Sequence, residues 1–130
     1  MNIEFFDLGL SSTTIQAIET LGYITPTPIQ EKAIPILMEG RNVVGQAQTG
    51  TGKTAAFVIP ILEKLHGGNG KIQALILTPT RELAIQVTDA AKSFAQFSGT
   101  KITSVYGGQS YEIQIRAIQR GTDIVVGTPG

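Results

Sequence analysis

Residues 47–54 read Ala47-Gln48-Thr49-Gly50-Thr51-Gly52-Lys53-Thr54, and the fold is decided there. The stretch follows a short apolar run and opens a segment, residues 53–65, with helical spacing of its apolar positions. A glycine-rich turn between strand and helix points several main-chain N–H groups at one place, and glycine lets the backbone approach a phosphate chain closely. Lys53 adds a mobile charge for the β- and γ-phosphates, and the Thr54 hydroxyl suits Mg²⁺. Thr-Gly followed by Gly-Lys-Thr arises by chance on the order of once per million starting positions at average usage. The competing reading, a flexible turn with an incidental lysine, does not account for the strand and helix on either side. The strict pattern has Gly where Ala47 stands, yet the octapeptide reads as a nucleotide site.

Outward from this loop the chain alternates strand and helix. Residues 42–46, with Val43 and Val44, are expected as a first strand, and 73–77, 102–105 and 123–126 as further apolar, partly β-branched strands. Between them, 53–65, 81–97 and about 110–120 carry helical periodicity, with Tyr111, Ile115 and Ile118 on one face of the last. Strand–helix–strand repetition with near-continuous apolar strands predicts an α/β fold, a parallel sheet with helices on both faces. Ahead of the loop, two helices are expected. One spans about 12–21 and stops at Gly22; the other starts at Thr27, with Pro28 at N1 and Gln30 at N3. Pro35 should bend or shorten the second, which ends near residues 39–40. The turn-rich residues 66–70 connect elements within one domain.

Gly22-Tyr23-Ile24-Thr25-Pro26-Thr27-Pro28-Ile29-Gln30 has two readings. Thr27 and Gln30 form a capping box, and Gln30 can be no more than its second half. Alternatively, the Gln30 carboxamide, donor and acceptor at once, suits the N6/N7 edge of adenine, with Tyr23 stacked on the base. The residues alone leave both open. Three further clusters follow strands, where ligand loops of open α/β sheets lie: Pro79-Thr80-Arg81-Glu82-Leu83-Ala84, Gly107-Gly108 and Thr128-Pro129-Gly130. Singly, each reads as an ordinary turn, with Thr80 as N-cap, paired glycines and a Pro-Gly bend. Together they are expected to gather open backbone amides and one arginine on a single sheet edge beside the phosphate loop.

Composition narrows the function classes. In 130 residues, ten Lys and Arg balance ten Asp and Glu, so nucleic acid would be held by a few local contacts, not a basic surface. There is no cysteine, which excludes disulfides, thiolate metal sites and a thiol nucleophile. The lone His66 cannot build a multi-histidine site. No apolar run approaches membrane-spanning length and no signal segment opens the chain, so a soluble, cytoplasmic domain without membrane association is expected.

In order and spacing, residues 22–30, 47–54, 79–84, 107–108 and 128–130 resemble the Q motif, motif I, motif Ia, GG motif and motif Ib of the DEAD-box RNA helicases. Ala47 is that family's own variant of motif I. The resemblance covers essentially the whole chain and implies the first part of a RecA-like P-loop NTPase domain, with 1–40 as the Q-motif region and 41–130 as the α/β core. It implies ATP and Mg²⁺ as cofactors and RNA, held by its backbone without sequence preference, as partner. On this resemblance Gln30 and Tyr23 hold adenine; Thr49, Gly50, Thr51, Gly52, Lys53 and Thr54 hold the phosphates, with Lys53 and Thr54 catalytic and Thr54 the Mg²⁺ ligand. Pro79, Thr80, Arg81, Gly107, Gly108, Thr128, Pro129 and Gly130 form the RNA track. The family places an isolated aromatic ahead of the Q motif, and spacing to Leu10 favours Phe5 over Phe6.

The resemblance further implies an Asp-Glu-Ala-Asp motif, a Ser-Ala-Thr motif and a second RecA-like domain with an arginine finger, all beyond Gly130. The chain is therefore expected to be a truncated domain that binds nucleotide without hydrolysing it efficiently. Two other classes compete: a P-loop kinase acting on a metabolite, and a non-catalytic module that only binds nucleotide or RNA. The kinase usually keeps the leading Gly and lacks the Pro79 to Ala84 cluster.

Overall fold

The computed structural model describes residues 4–46, 52–65, 71–108 and 110–130. The chain forms two compact units: Met1–Lys64 with Ser93–Ser98, and Leu65–Lys92 with Gly99–Gly130.

The first unit is helical among the described residues. A 3₁₀ turn at Phe5–Leu8 precedes α1 (Ser12–Thr20), α2 (Pro28–Met38) and α3 (Lys53–Lys64). Thr27 caps α2: its hydroxyl accepts from the Gln30 N–H at 3.4 Å, while Gln30 Oε1 accepts from the Thr27 N–H at 2.9 Å. Pro28 occupies the first turn, where a missing N–H costs nothing. Pro35 lies inside α2 without ending it; the helix runs on to Met38 with Glu39 as C-cap. α2 packs along α3, and Ala33 and Ile34 of one and Ala55, Val58 and Ile59 of the other are buried. α1 adds Ala17 and Ile18 to the core. Its start is tied to α3 by Glu63, whose carboxylate accepts from the Ser11 N–H at 3.0 Å and hydroxyl at 2.9 Å. A carboxylate at a helix N-terminus is favoured by the aligned peptide dipoles.

One expected element is absent. Residues 42–46 form no strand, and Val44 is 98% exposed. Two valines among Asn42, Gly45 and Gln46 specify little, and a strand needs a hydrogen-bonded neighbour to hold its shape.

The second unit contains a three-stranded parallel sheet of β1 (Ala74–Leu77), β2 (Ile102–Val105) and β3 (Ile124–Gly127), in the order β1-β3-β2. Ala74 and Ile102 both pair with Ile124, and Leu77 and Val105 both pair with Gly127. The three strands therefore end level with one another. β3 is buried along its whole length, as an apolar central strand should be. The first connection, through α4 (Arg81–Phe94), skips one strand position; the second, through α5 (Tyr111–Gln119), returns the chain to fill it. α4 buries Ala84, Val87, Thr88 and Ala91, a stripe at i, i+3, i+4 and i+7.

α5 differs from its expected face. Tyr111 and Ile115 are exposed, whereas Gln114, Ala117 and Ile118 are half-buried in the helix that packs beside β2. The small Ala117 permits close approach, and the Gln114 amide donates to the Tyr106 carbonyl at 3.0 Å. At the opposite end of the sheet, buried Asp123 binds both neighbouring strands. It accepts from the Lys101 N–H at 2.9 Å and from Gln73 Nε2 at 3.1 Å.

Candidate functional site

In the first unit, the candidate residues meet at the head of α3. Gly52 is its N-cap: its carbonyl accepts from the Ala56 N–H at 3.3 Å, the first bond of the helix. The same carbonyl accepts from Gln30 Nε2 at 3.1 Å. Gly52 has φ +84°, and a Cβ there would collide with the Gln30 carboxamide. Only glycine satisfies both constraints. Lys53 and Thr54 then occupy the first turn, Lys53 exposed and Thr54 half-buried. The amides of a first turn have no intrahelical acceptor and suit an anion. With an exposed ammonium and a hydroxyl beside them, this donor set fits a phosphate chain and a hard divalent cation. Thr49, Gly50 and Thr51 lie outside the described residues.

Gln30 is 5% exposed and its carboxamide is engaged at both ends, by Thr27 and by Gly52. The capping box is therefore formed. A carboxamide has two N–H donors and two oxygen lone pairs, so among the described residues one donor and one acceptor remain. Capping and base recognition do not compete for the same valences. The Tyr23 ring stacks on Phe94, with centroids 6.2 Å apart, and remains 51% exposed. Phe5 is buried, and its N–H donates to the Ile24 carbonyl at 3.2 Å. Phe5 and Tyr23 line one small hollow with Ile15, Ile18 and Ile24, flanked by Glu4 and Glu19.

In the second unit, three clusters follow the level ends of β1, β2 and β3. Thr80 caps α4, its hydroxyl accepting from the Leu83 N–H at 3.1 Å. Arg81 opens that helix, and its guanidinium carbon lies 5.4 Å from the centre of the Tyr106 ring. Gly108, at φ +83°, leaves room for the arginine: a Cβ there would stand 3.3 Å from a terminal guanidinium nitrogen. Pro79, Gly107, Pro129 and Gly130 are exposed and Thr128 is half-buried. The Thr128 N–H is already used, donating to the Val105 carbonyl at 3.2 Å. Its side-chain hydroxyl and the following Gly130 amide are what that turn offers a ligand. Sequence reasoning did not single out Tyr106; an aromatic immediately before paired glycines was its only signal.

These sites can be set beside known proteins. Residues 27–130 match the family model described as DEAD/DEAH box helicase. The chain is 50% identical over 129 residues to the protein named ATP-dependent RNA helicase DeaD of Haemophilus influenzae, covering 98% of this chain and 21% of that protein. It is 51% identical over 128 residues to the DEAD-box ATP-dependent RNA helicase CshA of Streptococcus pneumoniae, covering 98% and 24%. The chain thus spans about a fifth to a quarter of the length of these relatives. Among solved structures, a DEAD box protein from Methanococcus jannaschii superposes with a TM-score of 0.92 at 46% identity, covering all of this chain and 36% of the other. A hypothetical ATP-dependent RNA helicase from Sulfolobus tokodaii gives 0.83 at 44% identity, covering 93% and 34%. With the family pattern present from Thr27 to Gly130 and the fold matched along the whole chain, this chain belongs to the DEAD/DEAH box helicase family.

Proposed function

We propose that residues 1–130 are the nucleotide-gripping part, and one portion of the RNA track, of an ATP-dependent RNA helicase. The observation that carries this reading is the buried Gln30 carboxamide bonded to Gly52, immediately ahead of Lys53 and Thr54. It links a potential base-reading group to the head of the helix that would hold phosphates. Residues 22–30 act as a Q motif in this reading. The spare donor and acceptor of Gln30 pair with adenine N7 and N6, and Tyr23 offers its exposed ring to the base. The first-turn amides of α3 and Lys53 hold the phosphates, and the Thr54 hydroxyl ligates Mg²⁺. The cation supplies charge neutralisation at the transferring phosphoryl group. The chain's own residues bind and orient the nucleotide.

Arg81 and the amides around Gly108 and Gly130 hold RNA phosphates in the second unit. Phosphoryl transfer also needs an oriented water and usually an arginine at the developing charge. Those groups come from other parts of a chain as long as the relatives, including a second RecA-like domain. Binding of ATP and RNA across the two domains would separate short duplexes locally, and hydrolysis would release them. The test is titration of a fluorescent ATP analogue against the full-length protein and its Lys53→Ala variant. At least a ten-fold loss is expected, since one charge-assisted contact is worth about 1.5–3 kcal/mol. Unchanged affinity would remove the phosphate site from α3.

A further inference from the structure

We infer that Tyr106 is a positioning residue for Arg81, holding the guanidinium toward the phosphate track without neutralising it. The inference rests on the reading of Arg81 as an RNA-backbone contact. Three observations lead to it. The guanidinium carbon of Arg81 stands 5.4 Å from the Tyr106 ring centre, within cation–π range. Among the described residues, Arg81 makes no salt bridge; the single pair recorded is Arg41 with Glu39. Finally, Tyr106 is itself fixed, since its carbonyl accepts from Gln114 Nε2 at 3.0 Å and it directly follows β2.

An exposed arginine that must meet a phosphate faces a conflict. Left free, it loses considerable rotamer entropy on binding. Held by a carboxylate, it is ordered but its charge and donors are already engaged. An aromatic face resolves this, because it attracts the cation through its quadrupole and accepts none of the five N–H donors in the guanidinium plane. Gly108 is the other half of the arrangement. With no Cβ it leaves room for a terminal nitrogen of Arg81, which a Cβ there would approach to 3.3 Å. Among the described residues the phenol hydroxyl makes no hydrogen bond, so the ring should matter and the oxygen should not.

The experiment measures single-stranded RNA binding by the full-length protein with a non-hydrolysable ATP analogue, across a salt series. It compares wild type, Arg81→Ala, Tyr106→Phe, Tyr106→Leu and the Arg81→Ala/Tyr106→Leu double variant. Tyr106→Phe should bind like wild type. Tyr106→Leu should bind about two- to five-fold more weakly, as loss of an exposed cation–π contact implies. Its salt slope should match wild type, because the phosphate contact survives, whereas Arg81→Ala should lower the slope by about 0.7. In the Arg81→Ala background, Tyr106→Leu should have no further effect. If Tyr106→Leu unfolds the domain, Tyr106→Met makes the same comparison with an unbranched, ringless side chain.

Wild-type binding by Tyr106→Leu alongside weakened Arg81→Ala overturns the inference and leaves Arg81 as a contact. So does an equal loss with and without Arg81, which would mean that Tyr106 meets the RNA itself. Undiminished binding by Arg81→Ala removes the underlying reading instead.

Discussion

Gln30 Nε2 donates to the main-chain carbonyl of Gly52 at 3.1 Å, across 22 positions of sequence. The donor belongs to the capping box of α2 and the acceptor is the N-cap of α3. A movement of either helix head is therefore felt at the other, and both border the proposed nucleotide. The contact requires glycine at position 52, because a Cβ would occupy the space of the carboxamide.

Gly52→Ala should be disproportionately damaging. Placing alanine at φ +84° costs about 1–2 kcal/mol, and displacing Gln30 forfeits a hydrogen bond of about 1 kcal/mol. Urea unfolding should show a drop of about 2–3 kcal/mol together with weakened ATP binding. A drop below 0.5 kcal/mol would mean that the loop relaxes freely and Gln30 is not anchored there.

Gln30→Ala should distinguish base recognition from capping. Loss of a bidentate contact costs about 1–3 kcal/mol of base discrimination. ATP affinity should therefore fall at least five-fold more than GTP affinity, measured by competition. Equal losses for both nucleotides would leave Gln30 as a cap alone.

The local signals with a definite geometric demand were legible in the sequence. Thr27, Pro28 and Gln30 form the expected helix start, because N-terminal donors accept few alternatives. The apolar runs ending at Leu77 and Val105 became strands with those ends, because short apolar, partly β-branched runs closed by turn residues favour extended backbone. Residues 42–46 were misread because two valines resemble a strand locally, while pairing is a non-local property. The face of α5 was misread for a related reason. Periodicity marks Tyr111 and Ile115 as apolar, but the Gln114 bond to Tyr106 is invisible until the chain is folded. Tyr106 itself was missed because an aromatic before two glycines has no meaning without Arg81 beside it.

Asp123→Ala should destabilise the sheet unit with no direct effect on ligand. The Lys101 N–H and the Gln73 amide would lose their acceptor at a buried position. Two hydrogen bonds to a charged group, worth about 1.5–3 kcal/mol each, imply a loss of about 3–6 kcal/mol by chemical denaturation. A change within 0.5 kcal/mol would show that water replaces the carboxylate.

RNA affinity should be nearly indifferent to base sequence and only shallowly dependent on salt. In the proposed track, main-chain amides and one arginine would meet phosphates, not base edges. With a formal net charge of zero, about two or three phosphate contacts are expected, giving a slope near −0.7 for each. Binding isotherms for homopolymeric and mixed single strands at several salt concentrations provide the check. A ten-fold preference for one sequence would require base readout.

The most direct measurement is ATP hydrolysis by the full-length protein with and without RNA, for wild type and Lys53→Ala. Charge stabilisation by a single well-placed group is worth about 10²–10³ in rate. Hydrolysis should be stimulated by RNA and reduced at least 100-fold by Lys53→Ala, with the fold intact by circular dichroism. Hydrolysis indifferent to RNA, or retained by Lys53→Ala, would contradict the proposed function.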